Sequence, residues 1–140
     1  MTDTLYNDAI VAAARSRTGA GRLEHPHVTV SCDNPLCGDR TTLDLETEAG
    51  RVTALAHKTR GCLLTEAAAA LIAGHGPGRE LEALAAAAPA VRAFLEGEAE
   101  PPWPELAMFA PVRAVRSRHE CVLLAFEALR EAALKAGAAR

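Results

Sequence analysis

The 140-residue chain is poor in aromatic residues: one Trp, one Tyr and three Phe make up 4% of it. It also lacks an excess of either charge, with 15 basic against 18 acidic side chains and a formal net charge of −3. Such a balance offers no electrostatic footprint for a polyanion, so nucleic acid is not an expected partner. No apolar run approaches the ~20 residues that span a bilayer, so no membrane partner is expected either. Met1-Thr2-Asp3-Thr4 has neither the basic start nor the apolar stretch of a secretion signal. The expectation is a cytoplasmic protein. Reducing compartments discourage structural disulfides, so Cys32, Cys37, Cys62 and Cys121 call for another explanation.

What the chain has in abundance is alanine, 31 residues of it. Alanine is the strongest helix former and a weak filler of cores, which predicts much helix around a modest interior. The length suits a single domain, residues 1–140. Residues 5–15 place Leu5, Ala9 and Ala12 at helical spacing, with Ile10 and Val11 widening the stripe, before Thr18-Gly19-Ala20-Gly21 breaks it. Three strand-like runs follow, at residues 27–31, 40–47 and 51–59. Leu43 and Leu45 alternate with Asp44 and Glu46 in the second. Val52, Ala54 and Ala56 alternate with Arg51, Thr53 and His57 in the third. Glu48-Ala49-Gly50 predicts a tight turn joining those two runs into an antiparallel hairpin.

Beyond Cys62 the pattern turns helical. Residues 65–74 are nearly all Ala, Leu and Ile, and Gly74-His75-Gly76-Pro77-Gly78 reads as a helix stop that leaves His75 exposed, not as a phosphate loop. Residues 79–88 and 90–96 predict two further helices divided at Pro89, and residues 98–104 a loop. Ser117 followed by Glu120 predicts a capping box ahead of a last helix carrying Val122, Phe126, Leu129 and Ala133 on one stripe. Strands followed by helices imply an α+β fold: a small three-stranded antiparallel sheet with helices packed on its one apolar face.

A hairpin turning between Ala49 and Gly50 puts Cys37 opposite Cys62 at one end of the sheet, with Asp39 on the same side. Gly38 and Gly61 permit close backbone approach beside them. Cys62 falls at the start of the Ala-rich helix and Cys121 in the first turn of the last one, and helix N-termini favour thiolates. Cys37, Asp39, Cys62 and Cys121 thus form a three-thiolate, one-carboxylate set suited to zinc or to cluster iron. Paired C-x-x-C knuckles are missing, which leaves open that the cysteines fill an Ala-rich core, or that Cys32 and Cys37 form a disulfide. Cys32 otherwise stands outside the set. His25 and His27 read as surface residues, and His57 as a mid-strand residue with no acid to orient it. His119 reads as an exposed basic residue at a helix start, with ligation as the alternative. Trp103 and Phe109 mark either a partner-binding edge or a pinned loop.

Asn34-Pro35-Leu36-Cys37-Gly38-Asp39, Gly61-Cys62, and Arg118-x-x-Cys121 followed by Leu124-Ala125 and Ala128-Leu129 resemble the U-type iron–sulfur cluster assembly scaffold family. Its branches are IscU, SufU and the N-terminal domain of NifU; Leu5-Tyr6 with Ile10 resembles its opening helix. The resemblance implies a SufE/NifU-like α+β fold, with Cys37, Asp39, Cys62 and Cys121 holding zinc or a [2Fe–2S] cluster (or iron). It implies a scaffold without catalysis of its own, or a zinc-dependent sulfurtransferase in which Cys62 accepts persulfide sulfur. The implied partners are a cysteine desulfurase and recipient iron–sulfur proteins. The long stretch from Cys62 to Cys121, with Val112-Arg113 and Arg118 before the third cysteine, resembles SufU more than IscU, and the L-P-P-V-K string of IscU is absent. Three departures stand out: Glu120 before the third cysteine, Leu63-Leu64 after the second, and Ser16-Arg17-Thr18 where the family has N-P-R-N. A zinc-stabilised binding or regulatory module without cluster or sulfur transfer is the second reading, and a thiol-dependent enzyme the third.

Overall fold

Ala49 and Gly50 both take positive φ, +54° and +80°, the combination that a two-residue hairpin turn matched to strand twist requires. They join β2 (Asp39–Glu48) to β3 (Arg51–Arg60), and β1 (Val28–Asn34) pairs antiparallel on the other side of β2, in the order β1-β2-β3. This computed structural model describes residues 6–35 and 38–138. Its other elements are α1 (Asp8–Ser16), α2 (Leu63–His75), α3 (Leu81–Ala85), α4 (Ala87–Leu95), two 3₁₀ segments (Pro104–Ala114 and Arg116–Arg118) and α5 (His119–Ala138).

The hairpin is not uninterrupted. Glu48 faces Arg51 and Thr47 faces Val52, but Glu46 faces Ala54, so Thr53 is an extra residue in β3. A bulge of this kind offsets every later pair by one and exchanges the faces of the bulged strand. One sequence expectation falls with it. The inward set of β3 is Val52, then Leu55 and His57, all buried, rather than Val52, Ala54 and Ala56. At the far end Arg40 pairs with Arg60, and a Cβ added at Gly61 would meet Asp39 Cγ at 2.9 Å; the expected placing of Cys37 opposite Cys62 lies outside the described residues.

Val30, Leu43, Leu45 and Leu55 form the apolar floor on which the helices rest. α5 lies across β1 and β2, α2 against β3, and α1 against α2. α2 is buried almost all round, and its run Ala67-Ala68-Ala69-Ala70 is what allows three neighbours to approach it closely. The other face of the sheet is not merely solvated. Asp44 is buried there and accepts from Arg22 Nε (2.7 Å), Arg22 Nη2 (3.1 Å), the Leu23 amide (3.0 Å) and Thr29 Oγ1 (2.7 Å). The segment carrying Arg22 also covers the β3 edge, through Gly21 N to His57 O (2.8 Å) and His57 N to Gly19 O (2.9 Å).

Pro89 does not divide two helices. It occupies the third position of α4, where a missing N–H removes no intrahelical bond, and the break falls at Ala86 instead. The capping box is not made either: Ser117 lies inside a 3₁₀ turn that runs directly into α5, and Glu120 receives Arg92 Nη1 at 3.1 Å. Trp103 is buried against Phe126 (ring centroids 5.6 Å apart), with Arg79 over its ring at 4.8 Å and His75 at 5.8 Å. His75 is accordingly half-buried rather than exposed. Trp103 and the fully buried Phe109 pin the irregular stretch before α5 and form no partner-binding edge.

Candidate metal centre

Three chain segments begin at the same end of the sheet. Asp39 opens β2, Cys62 is the N-cap of α2 with extended backbone (φ −75°, ψ 176°), and Cys121 is the third residue of α5. One donor atom from each of Asp39, Cys62 and Cys121 lies within 4.8 Å of the other two. Cys62 is half-buried, whereas Asp39 and Cys121 are only 7% and 5% exposed. Cys37 lies outside the described residues; along the chain it is two residues before Asp39.

The cluster differs from a packing of small apolar residues in holding a buried carboxylate beside its two thiols. The Cys121 thiol is pushed up to about 12 by its burial, then by the neighbouring Cys62 and Asp39, while the Arg118 guanidinium hydrogen-bonded to it acts in the opposite direction. Two helix N-termini and Arg118 bring positive potential to a pocket that also contains a carboxylate. A divalent cation would let a buried carboxylate, one buried thiolate and one half-buried thiolate coexist without mutual repulsion. The mixed oxygen and sulfur donors fit zinc and iron, and no feature of the cluster opposes either.

Two neighbours complete the site. Thr65 Oγ1, buried, donates to Asp39 Oδ2 at 2.8 Å and lies 3.6 Å from Cys62 Sγ. At Gly61 an added Cβ would fall 2.9 Å from Asp39 Cγ and 3.0 Å from Thr65 Cβ, so any larger residue there displaces the carboxylate. Thr65 was not singled out by sequence reasoning; its one signal was the offset of three from Cys62 at a helix start. Leu64, a departure from the small residues of the resembled family, points into the core and is fully buried, and Leu63 is half-buried.

The remaining candidates lie elsewhere. His119 is buried rather than exposed, and its Nε2 meets Arg113 O at 3.2 Å instead of joining the converging donors. Burial holds His57 below the usual histidine range, with Nε2 on Thr18 O and Nδ1 on Thr59 Oγ1, so it is no base for Cys62. His25 and His27 are exposed, and His27 Nδ1 accepts the Thr47 amide at 3.0 Å. Cys32, Cys62 and Cys121 are free thiols. Cys32 sits on β1 with its thiol 3.7 Å from Glu131 Oε2, and burial together with that carboxylate raises it to about 11.

The sequence matches the model of the NifU-like N-terminal domain family over residues 5–135. It is 27% identical over 133 residues to the iron–sulfur cluster assembly scaffold protein IscU of Thermotoga maritima, with 94% of each chain covered. Among solved structures, the N-terminal NifU-like protein of Brucella abortus superposes with a TM-score of 0.92 at 28% identity, covering 99% of this chain and 98% of that one. The protein described as a SUF-system iron–sulfur cluster assembly scaffold in Fervidobacterium islandicum AW-1 gives 0.86, covering 95% and 99%; at 18% identity that likeness concerns the fold alone.

Proposed function

Because the chain belongs to the NifU-like N-terminal domain family, a family of iron–sulfur cluster assembly scaffolds, we propose that it accepts sulfur from a cysteine desulfurase on Cys62 and presents it at a metal centre made by Cys37, Asp39, Cys62 and Cys121. The observation that carries this reading is the convergence of Asp39, Cys62 and Cys121 from three separate element starts. Apolar core cysteines have no reason to surround a buried carboxylate. Bound zinc would supply the positive charge that keeps the thiolates deprotonated; iron and cluster are cargo to be built and handed on to recipient proteins.

Cys62 is the nucleophile in this scheme because it is the more exposed of the two described thiols in the cluster. Its thiolate attacks the outer sulfur of a desulfurase persulfide. The bond from Cys62 Sγ to that sulfur forms as the persulfide S–S bond breaks, and the desulfurase cysteine leaves as its thiolate. Arg118 beside Cys121 offers fixed positive charge to the sulfur anions gathered there.

The test is mass spectrometry after incubation with a desulfurase and free cysteine, together with metal analysis of anaerobically purified protein. One added sulfur atom on Cys62, lost in Cys62→Ser, is the expected result. Absence of added sulfur on Cys37, Cys62 and Cys121, with no visible absorption after iron and sulfide addition, overturns it. The burial of Asp39 and Cys121 favours a second reading, a zinc-stabilised regulatory module. Zinc retained without any sulfur uptake selects that one.

A further inference from the structure

We propose that Thr65 is a positioning residue of the metal centre: its hydroxyl and the space at Gly61 hold the Asp39 carboxylate in the one orientation that lets it act as a ligand. This rests on the metal-binding reading above. A threonine near the start of a helix ordinarily caps or bonds backward to a carbonyl three or four residues away. Thr65 instead donates to Asp39 Oδ2 at 2.8 Å, to a residue 26 positions earlier on a different element. Its single proton is thereby committed, and its lone pairs are left for the Cys62 thiol at 3.6 Å. One fully buried hydroxyl therefore contacts two of the candidate ligands.

The local sequence explains how it gets there. With Cys62 at the N-cap of α2, Thr65 is the third helical residue, and N-cap and third-position side chains are neighbours in helix geometry. In a capping box that adjacency serves the helix's own amides; here Cys62 makes no side-chain cap, and the pair faces β2 instead. The carboxylate is confined from the other side by the β3 end, where even a methyl group at Gly61 would meet Asp39 Cγ at 2.9 Å. Asp39 is thus wedged between a hydrogen-bond donor and a glycine. Groups that orient a metal ligand in this way typically account for about 10- to 100-fold in metal affinity.

The experiment is zinc affinity of the full chain by competition with a chromophoric chelator, backed by cobalt(II) spectra. Thr65→Val, which keeps the shape and removes the donor, is expected to weaken zinc by about 10- to 100-fold. Thr65→Ser is expected to restore affinity to within about threefold of wild type, and Gly61→Ala to weaken it. The double variant of Thr65→Val with Asp39→Ala is expected to bind no more weakly than Asp39→Ala alone, because the hydroxyl acts through that carboxylate. In the cobalt form, Thr65→Val should shift the ligand-field bands while the sulfur-to-metal charge-transfer bands persist, a change that a purely packing role would not produce. Wild-type-like affinity in Thr65→Val, or losses that add in the double variant, overturn the assignment of Thr65 while leaving the metal reading intact. Wild-type protein that takes up no zinc and no cobalt overturns the metal reading, and this assignment with it.

Discussion

Asp44 shows how much one side chain organises away from the site. A buried carboxylate is costly unless its lone pairs are filled, and Asp44 has four donors on it, from Arg22, Leu23 and Thr29. Burial by itself raises Asp44, but the hydrogen bonds from Arg22, Thr29 and Leu23 and the Arg22 charge outweigh it and leave the carboxyl below its ordinary value. A depressed carboxyl contributes stability that is present at neutral pH and is lost as pH falls below about 4 towards its folded-state value. Asp44→Asn should therefore cost roughly 2–3 kcal/mol in urea unfolding at pH 7 and less at pH 3, where the unfolded-state carboxyl is already largely protonated. An equal cost at both pH values would refute the charge as its origin. The patterning showed only an acidic residue on the polar side of a strand. Its partner Arg22 sits in a glycine-flanked break, and no local rule connects positions 22 residues apart.

At the scale of elements, the hairpin was the most legible feature and also the one misread in detail. The turn, both strands and their antiparallel pairing follow from alternation bracketing Ala49-Gly50. The bulge at Thr53 does not, because Val52, Ala54 and Ala56 alternate as well as the true inward set does. Leu55 was the available clue, a large aliphatic residue on the face that unbroken alternation would expose. Ala49 occupies the left-handed region at φ +54°, where a Cβ costs about 1 kcal/mol. Ala49→Gly should relieve that strain and raise the urea midpoint, by a net ~0.5 kcal/mol once the flexibility of glycine is counted. A lowered midpoint would mean that the turn is not strained at this residue. The helices show the complementary limit. α2 and α5 were foreseen from composition and stripe, whereas the beginning of α5 is set by a 3₁₀ turn and an Arg92–Glu120 pair brought by α4.

For the whole molecule, the candidate centre ties together the starts of β2, α2 and α5, elements that otherwise meet mainly through the apolar interior. A ligand that binds only the folded chain stabilises it by mass action, by about 4 kcal/mol at a thousandfold excess over its dissociation constant. Zinc should therefore raise the Tm relative to chelator-treated protein, and Asp39→Ala should lose most of that increment. An identical Tm with and without zinc would show that the three elements are not linked through metal. Fold and family were legible because a few short strings carry them: the C-G-D run, the later G-C, and the third cysteine at the start of the last helix.

The sequence alone determined the order of strands and helices, since that depends on neighbours within a turn or a strand, and it singled out Asp39, Cys62 and Cys121, which the fold brings together, while setting Cys32 apart. Only the tertiary structure decided the one-residue offset within the hairpin, the withdrawal of His119 to Arg113 O, and the placing of Thr65 on Asp39. Those are contacts between segments far apart in the chain. Their geometry depends on a one-residue bulge and on close packing in the interior, quantities that residue spacing does not encode.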